Sequence, residues 1–227
     1  MPTFHNPTGR TLTLARRRQL LAISEKYGIP IVEDDAYRHL HLEHEPPPSL
    51  KQLDQWGNVI YLNTFSKMLF PGLRIGWIAG SSPIIQYITR LRELTISTST
   101  LSQFALAEYM RDRALRPHLD TVTRLYAEQA RLMESQLRPL RSMGLDYEMP
   151  AGGFYFWISL PEGMKARQLM ERCMEAGVSF TCGDMFLLRE AEQPYIRLCF
   201  THEGAEQIEQ GMSILTRVLY QQKEDSR

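Results

Sequence analysis

The stretch TLARRRQLLAISEKYGIPIVEDDAY, residues 13–37, decides the architecture. Thr13 suits a helix N-cap, where a side-chain oxygen accepts from an otherwise unpaired N–H of the first turn. From it a helix is expected to run to about Tyr27, with Leu14, Leu20, Leu21 and Tyr27 as candidate buried positions. Gly28 takes the glycine position that ends helices, because it enters the left-handed region without strain. Residues 29–32 form a short apolar run closed by Glu33-Asp34-Asp35, which reads as a buried strand with acids at its carboxyl end. Residues 59–65 give the next strand. Strands alternating with helices point to a mostly parallel sheet with flanking helices.

Outward from this unit, residues 2–9 are turn-rich and carry Asn6-Pro7-Thr8-Gly9. Pro46-Pro47-Pro48 marks a loop, and residues 74–79 another strand, reached by an irregular crossing over residues 66–73. The pattern is helical over residues 83–115 and again over 118–143, where Gly144 ends it. The last portion alternates: strands over 153–160, 178–181 and 195–200, and helices over 166–175 and from 203 to about 220. Two lobes are expected, residues 1–115 and 116–227, the second a smaller α+β lobe led by a linking helix.

The chain has 227 residues, with 26 Lys plus Arg against 26 Asp plus Glu. A balanced charge argues against nucleic-acid binding through this segment. No apolar run approaches a membrane span, and the start does not read as a signal peptide. Cys173, Cys182 and Cys199 are odd in number and lack a C-x-x-C pair, so reduced thiols and a cytoplasmic location are expected. His39, His41 and His44 lack carboxylate or thiol company in a ligand pattern, so they read as a solvated loop and no metal is expected.

Taken singly, Asn6-Pro-Thr-Gly, Asp34-x-x-Tyr37, Thr64-Phe-Ser-Lys67, Arg74 and Arg197 are weak signals; their order is not. Together they supply what a pyridoxal phosphate site requires. An amine is needed for the aldehyde, a carboxylate to keep the ring nitrogen protonated, and a donor for the ring hydroxyl. Hydroxyls and an arginine suit the phosphate, and a second arginine suits a substrate carboxylate. Asp34 and Lys67 each follow a strand, and ligands gather at the carboxyl ends of parallel strands.

Asn6-Pro7-Thr8-Gly9, Asp34-Asp35-Ala36-Tyr37, Thr64-Phe65-Ser66-Lys67 and Pro71-Gly72-Leu73-Arg74-Ile75-Gly76-Trp77 resemble class I/II aminotransferases of PLP fold type I. The resemblance is to the branch of aminoadipate- and kynurenine-type aminotransferases and GntR-like regulators with an aminotransferase-like domain. It extends over nearly the whole chain, through Gly152-Gly153-Phe154 and Tyr195-Ile196-Arg197-Leu198. It implies the C-terminal part of that fold, pyridoxal 5'-phosphate as cofactor, and exchange of an amino group between an amino acid and a 2-oxo acid. Lys67 would be the Schiff-base lysine and proton-transfer base, and Asp34 the partner of the ring nitrogen, favoured over Asp35 by its offset to Tyr37. Asn6 and Tyr37 would bind the ring oxygen, Thr64, Ser66 and Arg74 the phosphate, and Arg197, with Asn6, the substrate. The Asn6–Pro7 bond is a candidate cis peptide, and Cys182 stands where relatives usually have Pro, as a packed thiol. The resemblance also implies a homodimer and a further half-domain ahead of Asn6, which would make this chain a fragment, a late-start product or a degraded gene. The effector domain of a transcription regulator and an inactive remnant are the alternatives.

Overall fold

The structure, a computed structural model, describes residues 1–92, 94, 98–186 and 194–225. It divides into two compact units, residues 1–5 with 10–123 and residues 6–9 with 124–227.

The first unit opens with α1 (Leu14–Tyr27), capped as its sequence requires. The Thr13 side chain accepts from Arg16 N, and Gly28 closes the helix at φ 62°. Its inward stripe is Arg17, Leu21 and Ser24, while Tyr27 is 62% exposed, correcting its expected burial. The next inward position after 17, 21 and 24 is residue 28, so Tyr27 is turned off the stripe. β1 (Ile31–Asp34) and β2 (Val59–Thr64) pair in parallel, with α2 (Leu50–Leu53) between them in sequence. Leu21, Leu50 and Val59 form a core cluster beneath the pair. Val32, on the opposite face, is 60% exposed, so β1 is covered on one face rather than buried on both.

A 3-10 turn (Pro71–Leu73) leads into β3 (Gly76–Ala79), which lies antiparallel to β2. The sheet is thus three strands in the order β1-β2-β3 and mixed, not mostly parallel. Connection length explains the difference. The 24 residues between Asp34 and Val59, with their helical turn, are long enough for a parallel return, whereas the link from Thr64 to Gly76 is not. The long helical pattern resolves into α3 (Ser82–Arg92) and α4 (Thr100–Arg111), while residues 93 and 95–97 lie outside the described residues.

α5 (Leu115–Leu137) begins in the first unit and ends in the second. Pro139 cannot donate to a helical ladder, and there the chain tightens to a 3-10 helix (Arg138–Met143) that Gly144 ends at φ 103°. The second unit holds β4 (Asp146–Tyr147), β5 (Tyr155–Ser159), α6 (Ala166–Glu175), β6 (Thr181–Cys182), β7 (Tyr195–Cys199) and α7 (Ala205–Asp225). Its sheet is antiparallel, in the order β4-β5-β7-β6. Phe156, Ile158, Ile196 and Leu198 are buried, as are Leu169 and Cys173 of α6 and Leu215 and Leu219 of α7. β6 is shorter and later than the strand read over residues 178–181, because Val178 closes α6 by donating its N–H to Cys173 O.

A buried charge cluster lies in the first unit. The Arg17 side chain is fully buried and donates to Leu12 O, Pro2 O and Thr3 Oγ1 at 3.0, 3.0 and 2.8 Å. Its Nη1 lies 3.7 Å from Glu33, whose carboxylate accepts from the backbone of Leu50 and Lys51. Burial draws Arg17 below its ordinary pKa, opposed by Asp35 and Glu33.

Asp54 sets the entry to β2. Its carboxylate accepts from the N–H groups of Trp56, Gly57, Asn58 and Val59 at 3.1, 3.0, 3.3 and 2.9 Å. Burial pulls its pKa up, but the hydrogen bonds from Val59, Trp56, Lys51 and Asn58 outweigh it and hold the carboxyl below its ordinary value. A depressed folded pKa stabilises the fold above the ordinary value of 3.8, and that contribution is lost as pH falls through the folded pKa. Asp54→Ala is expected to cost about 1–3 kcal/mol in denaturant unfolding at neutral pH. The gap from wild type should shrink in acid; a gap that widens below pH 3.8 would contradict this account.

Candidate functional site

In the first unit the site residues sit at the carboxyl ends of β1 and β2. Asp34 pairs with Leu62, and Thr64 lies two residues further along β2. Paired residues share a face and faces alternate, so Asp34 and Thr64 lie on one face, and Glu33, Tyr61 and Asn63 on the other. Asp34 Oδ1 accepts from Ala36 N at 3.3 Å. Asp35 is fully buried beside Arg38, whose Nη1 lies 3.5 Å from its carboxylate, a structural neighbourhood unlike that of Asp34. Tyr37 is buried. Burial pushes the Tyr61 phenol up to about 12, so it stays protonated while it accepts from Asn63 Nδ2.

Lys67 stands on a turn that is pinned at both ends. Thr64 Oγ1 donates to Ile75 O at 3.0 Å and accepts from Ser66 N at 3.1 Å. Phe65 N donates to the same Ile75 carbonyl at 2.9 Å, and Leu69 N donates back to Phe65 O at 2.8 Å. Beneath the turn, Phe65, Met68, Leu73, Ile75 and Leu106 form a core cluster. The Thr64 hydroxyl thus gives its proton to the Ile75 carbonyl while it accepts from the turn through Ser66 N, a role its residue type does not announce. Across from it, Gly76 has no room for a side chain: a Cβ would stand 2.8 Å from Asn63 O.

Arg74 follows the 3-10 turn in the left-handed region at φ 52°, uncommon for a residue with a side chain. It is exposed. Among the described residues, neither the half-buried Lys67 amine nor the Arg74 guanidinium makes a hydrogen bond or ion pair. Asp34, among the described residues, accepts only at Oδ1, leaving Oδ2 open. An amine, a carboxylate oxygen and a guanidinium are therefore uncommitted on the segments that the sequence singles out. This donor and acceptor set fits the aldehyde, ring nitrogen and phosphate of pyridoxal phosphate.

The second unit brings Asn6 and Arg197 together. Arg197 Nη1 donates to Asn6 Oδ1 at 2.7 Å, and Nη2 donates to Thr181 Oγ1 at 3.1 Å. The Asn6–Pro7 peptide is cis, as expected. The guanidinium carbon lies 4.0 Å from the centre of the Tyr155 ring and 4.9 Å from that of Phe186. Trp157 stacks on Tyr195 at 5.1 Å. The aromatic run 154–157 is divided by strand alternation: Phe156 is buried, while Tyr155 lies on the Arg197 face. Sequence reasoning missed Thr181, Tyr155 and Phe186. The first two follow from strand register, since Thr181 pairs with Arg197 and Tyr155 lies two residues before its other partner, Trp157.

The Aminotransferase class I and II family profile matches residues 1–215, and the chain belongs to that family. It is 33% identical over 220 residues to aromatic-amino-acid aminotransferase 1 of Thermococcus litoralis, covering 96% of this chain and 53% of that protein. It is 32% identical to YdfD, an uncharacterized HTH-type transcriptional regulator of Bacillus subtilis, covering 93% of this chain and 44% of the regulator. The crystal structure of LysN, the α-aminoadipate aminotransferase of Thermus thermophilus, complexed with N-(5'-phosphopyridoxyl)-L-leucine, superposes with a TM-score of 0.92 at 32% identity. That match covers 99% of this chain and 58% of LysN. The chain spans about half the length of the curated relatives it matches, and its fold is that of the C-terminal portion of PLP fold type I aminotransferases.

Cys182, beside this cluster, is packed: it is buried, with its Sγ 3.6 Å from Met170 Sδ. Burial raises its pKa, and raises that of Cys173 to about 11. Cys199 is exposed. Thiol titration of the native protein at neutral pH should therefore show Cys199 reacting first, with Cys173 and Cys182 released only on unfolding. Equal rates for the three would contradict the packing described.

Proposed function

We propose that this chain carries the lysine-bearing part of a PLP-dependent aminotransferase, which moves an amino group between an amino acid and a 2-oxo acid. The observation that carries the reading is the uncommitted Lys67 amine, on a pinned turn at the carboxyl end of the strand beside the one that ends in Asp34. When bound, pyridoxal phosphate supplies a ring that withdraws electrons from the α-carbon of the substrate. Lys67 would hold the cofactor through its amine and, once displaced by substrate, move the proton at the α-carbon. Asp34 would keep the ring nitrogen protonated through charge and hydrogen bonding. Tyr37 and the amide N–H of Asn6 would donate to the ring oxygen. Ser66 and Arg74 would hold the phosphate, with Arg74 the charged member, while Thr64, whose hydroxyl proton goes to Ile75 O, holds the turn that carries Ser66. Arg197 would grip the substrate carboxylate. Its orientation is set by Asn6, Thr181 and the rings of Tyr155 and Phe186.

The likeness to the YdfD regulator supports a second reading, a cofactor-dependent effector domain using the same residues without turnover. Mixing the protein with pyridoxal phosphate, an amino acid and a 2-oxo acid separates the two. Transamination should appear as a new amino acid, and Lys67→Ala should lower its rate by at least about 10²–10⁴. A visible cofactor band that needs Lys67 without product favours the regulator reading. No Lys67-dependent band at all rejects both.

A further inference from the structure

The Lys67 turn is held by one side chain that neither the family motifs nor the site assignment above includes. His118 lies in the first turn of α5, and its Nε2 is 2.9 Å from the carbonyl oxygen of Met68, the residue after Lys67. A carbonyl oxygen only accepts, so Nε2 carries the proton and donates. Leu115 and Leu119 of the same helix pack against the cluster that contains Phe65 and Met68. The turn is thus bound to α5 twice, by apolar packing of Leu115 and Leu119 against the cluster that includes Phe65 and Met68, and by a hydrogen bond through the Met68 carbonyl. Thr64 fixes the amino side of Lys67 and His118 the carboxyl side, with the Leu69 N–H to Phe65 O bond closing the turn between them.

From this we infer that His118 is a positioning residue for Lys67. By holding the Met68 peptide, it fixes the direction from which the lysine side chain leaves the backbone. This rests on the assignment of Lys67 as the cofactor lysine. The ring is half-buried rather than sunk in the core, and its replacement leaves the apolar cluster in place. A glutamine amide at position 118 reaches about as far as Nε2 and also donates, whereas leucine fills similar space and donates nothing.

The test compares wild type, His118→Leu and His118→Gln in the full-length protein. Two quantities are read: the dissociation constant for pyridoxal phosphate, from its Lys67-dependent band, and amide exchange of residues 65–69 without cofactor. His118→Leu should bind the cofactor about tenfold more weakly, equivalent to ~1.4 kcal/mol, and exchange faster at Leu69. His118→Gln should return both to near the wild-type values, and the unfolding midpoints of the two variants should agree. If His118→Leu binds as wild type does, or if His118→Gln is as impaired as His118→Leu, the positioning role is rejected. A wild-type protein with no Lys67-dependent band would instead reject the cofactor assignment, and local exchange would then report the turn alone.

Discussion

Parallel pairing of β1 with β2, in the register Ile31 to Val59 through Asp34 to Leu62, is the constraint on which the rest of the first unit depends. It brings two strand ends to the same edge, which an antiparallel pair would not do. Register matters as much as direction. A slip of one residue exchanges the faces of a strand. It would turn Asp34 inward to the place of Glu33, and set Glu33 or Asp35 outward beside Thr64. Both neighbours are committed inside, Glu33 to Arg17 and to the amides of Leu50 and Lys51, and Asp35 to the vicinity of Arg38. Removing these partners would leave buried charges unpaired, a change that typically costs several kcal/mol. The charge cluster behind the sheet therefore also selects which acid faces forward.

The same logic, backbone fixed first and side chain aimed second, governs the second unit. Antiparallel alternation puts Tyr155, Thr181 and Arg197 on one face and Phe156, Cys182, Ile196 and Leu198 on the other. The guanidinium is held through two of its nitrogens and flanked by two rings, which limits the orientations open to it without neutralising its charge.

Features set by neighbours in sequence were legible before any coordinates. Thr13, Gly28 and Gly144 act within one helix end each, and Asn6–Pro7 within one peptide bond. Asp34 and Lys67 were legible because each stands after an apolar run, in an ordered series of motifs that resembles a known family, and their roles are a proposal. Features set by distant partners were not. Arg17 occupies an inward position of α1 where hydropathy expects a leucine, because its partners lie at Pro2, Thr3, Leu12 and Glu33. Nothing in residues 74–79 states the direction of β3; the brevity of the link before it does. His118 looks like any polar residue of a long helix until the carbonyl it meets, fifty positions earlier, is known.

Arg74 carries a consequence for how this protein would change under selection. Its backbone conformation suits glycine, so Arg74→Gly would relieve strain of the order of 1 kcal/mol. With Arg74 in its proposed role on the phosphate, a screen for thermostability alone would tend to discard the arginine, while a screen for cofactor retention would keep it. On that proposal, fold and site pull in opposite directions at this position, a stability–activity trade-off confined to a single residue.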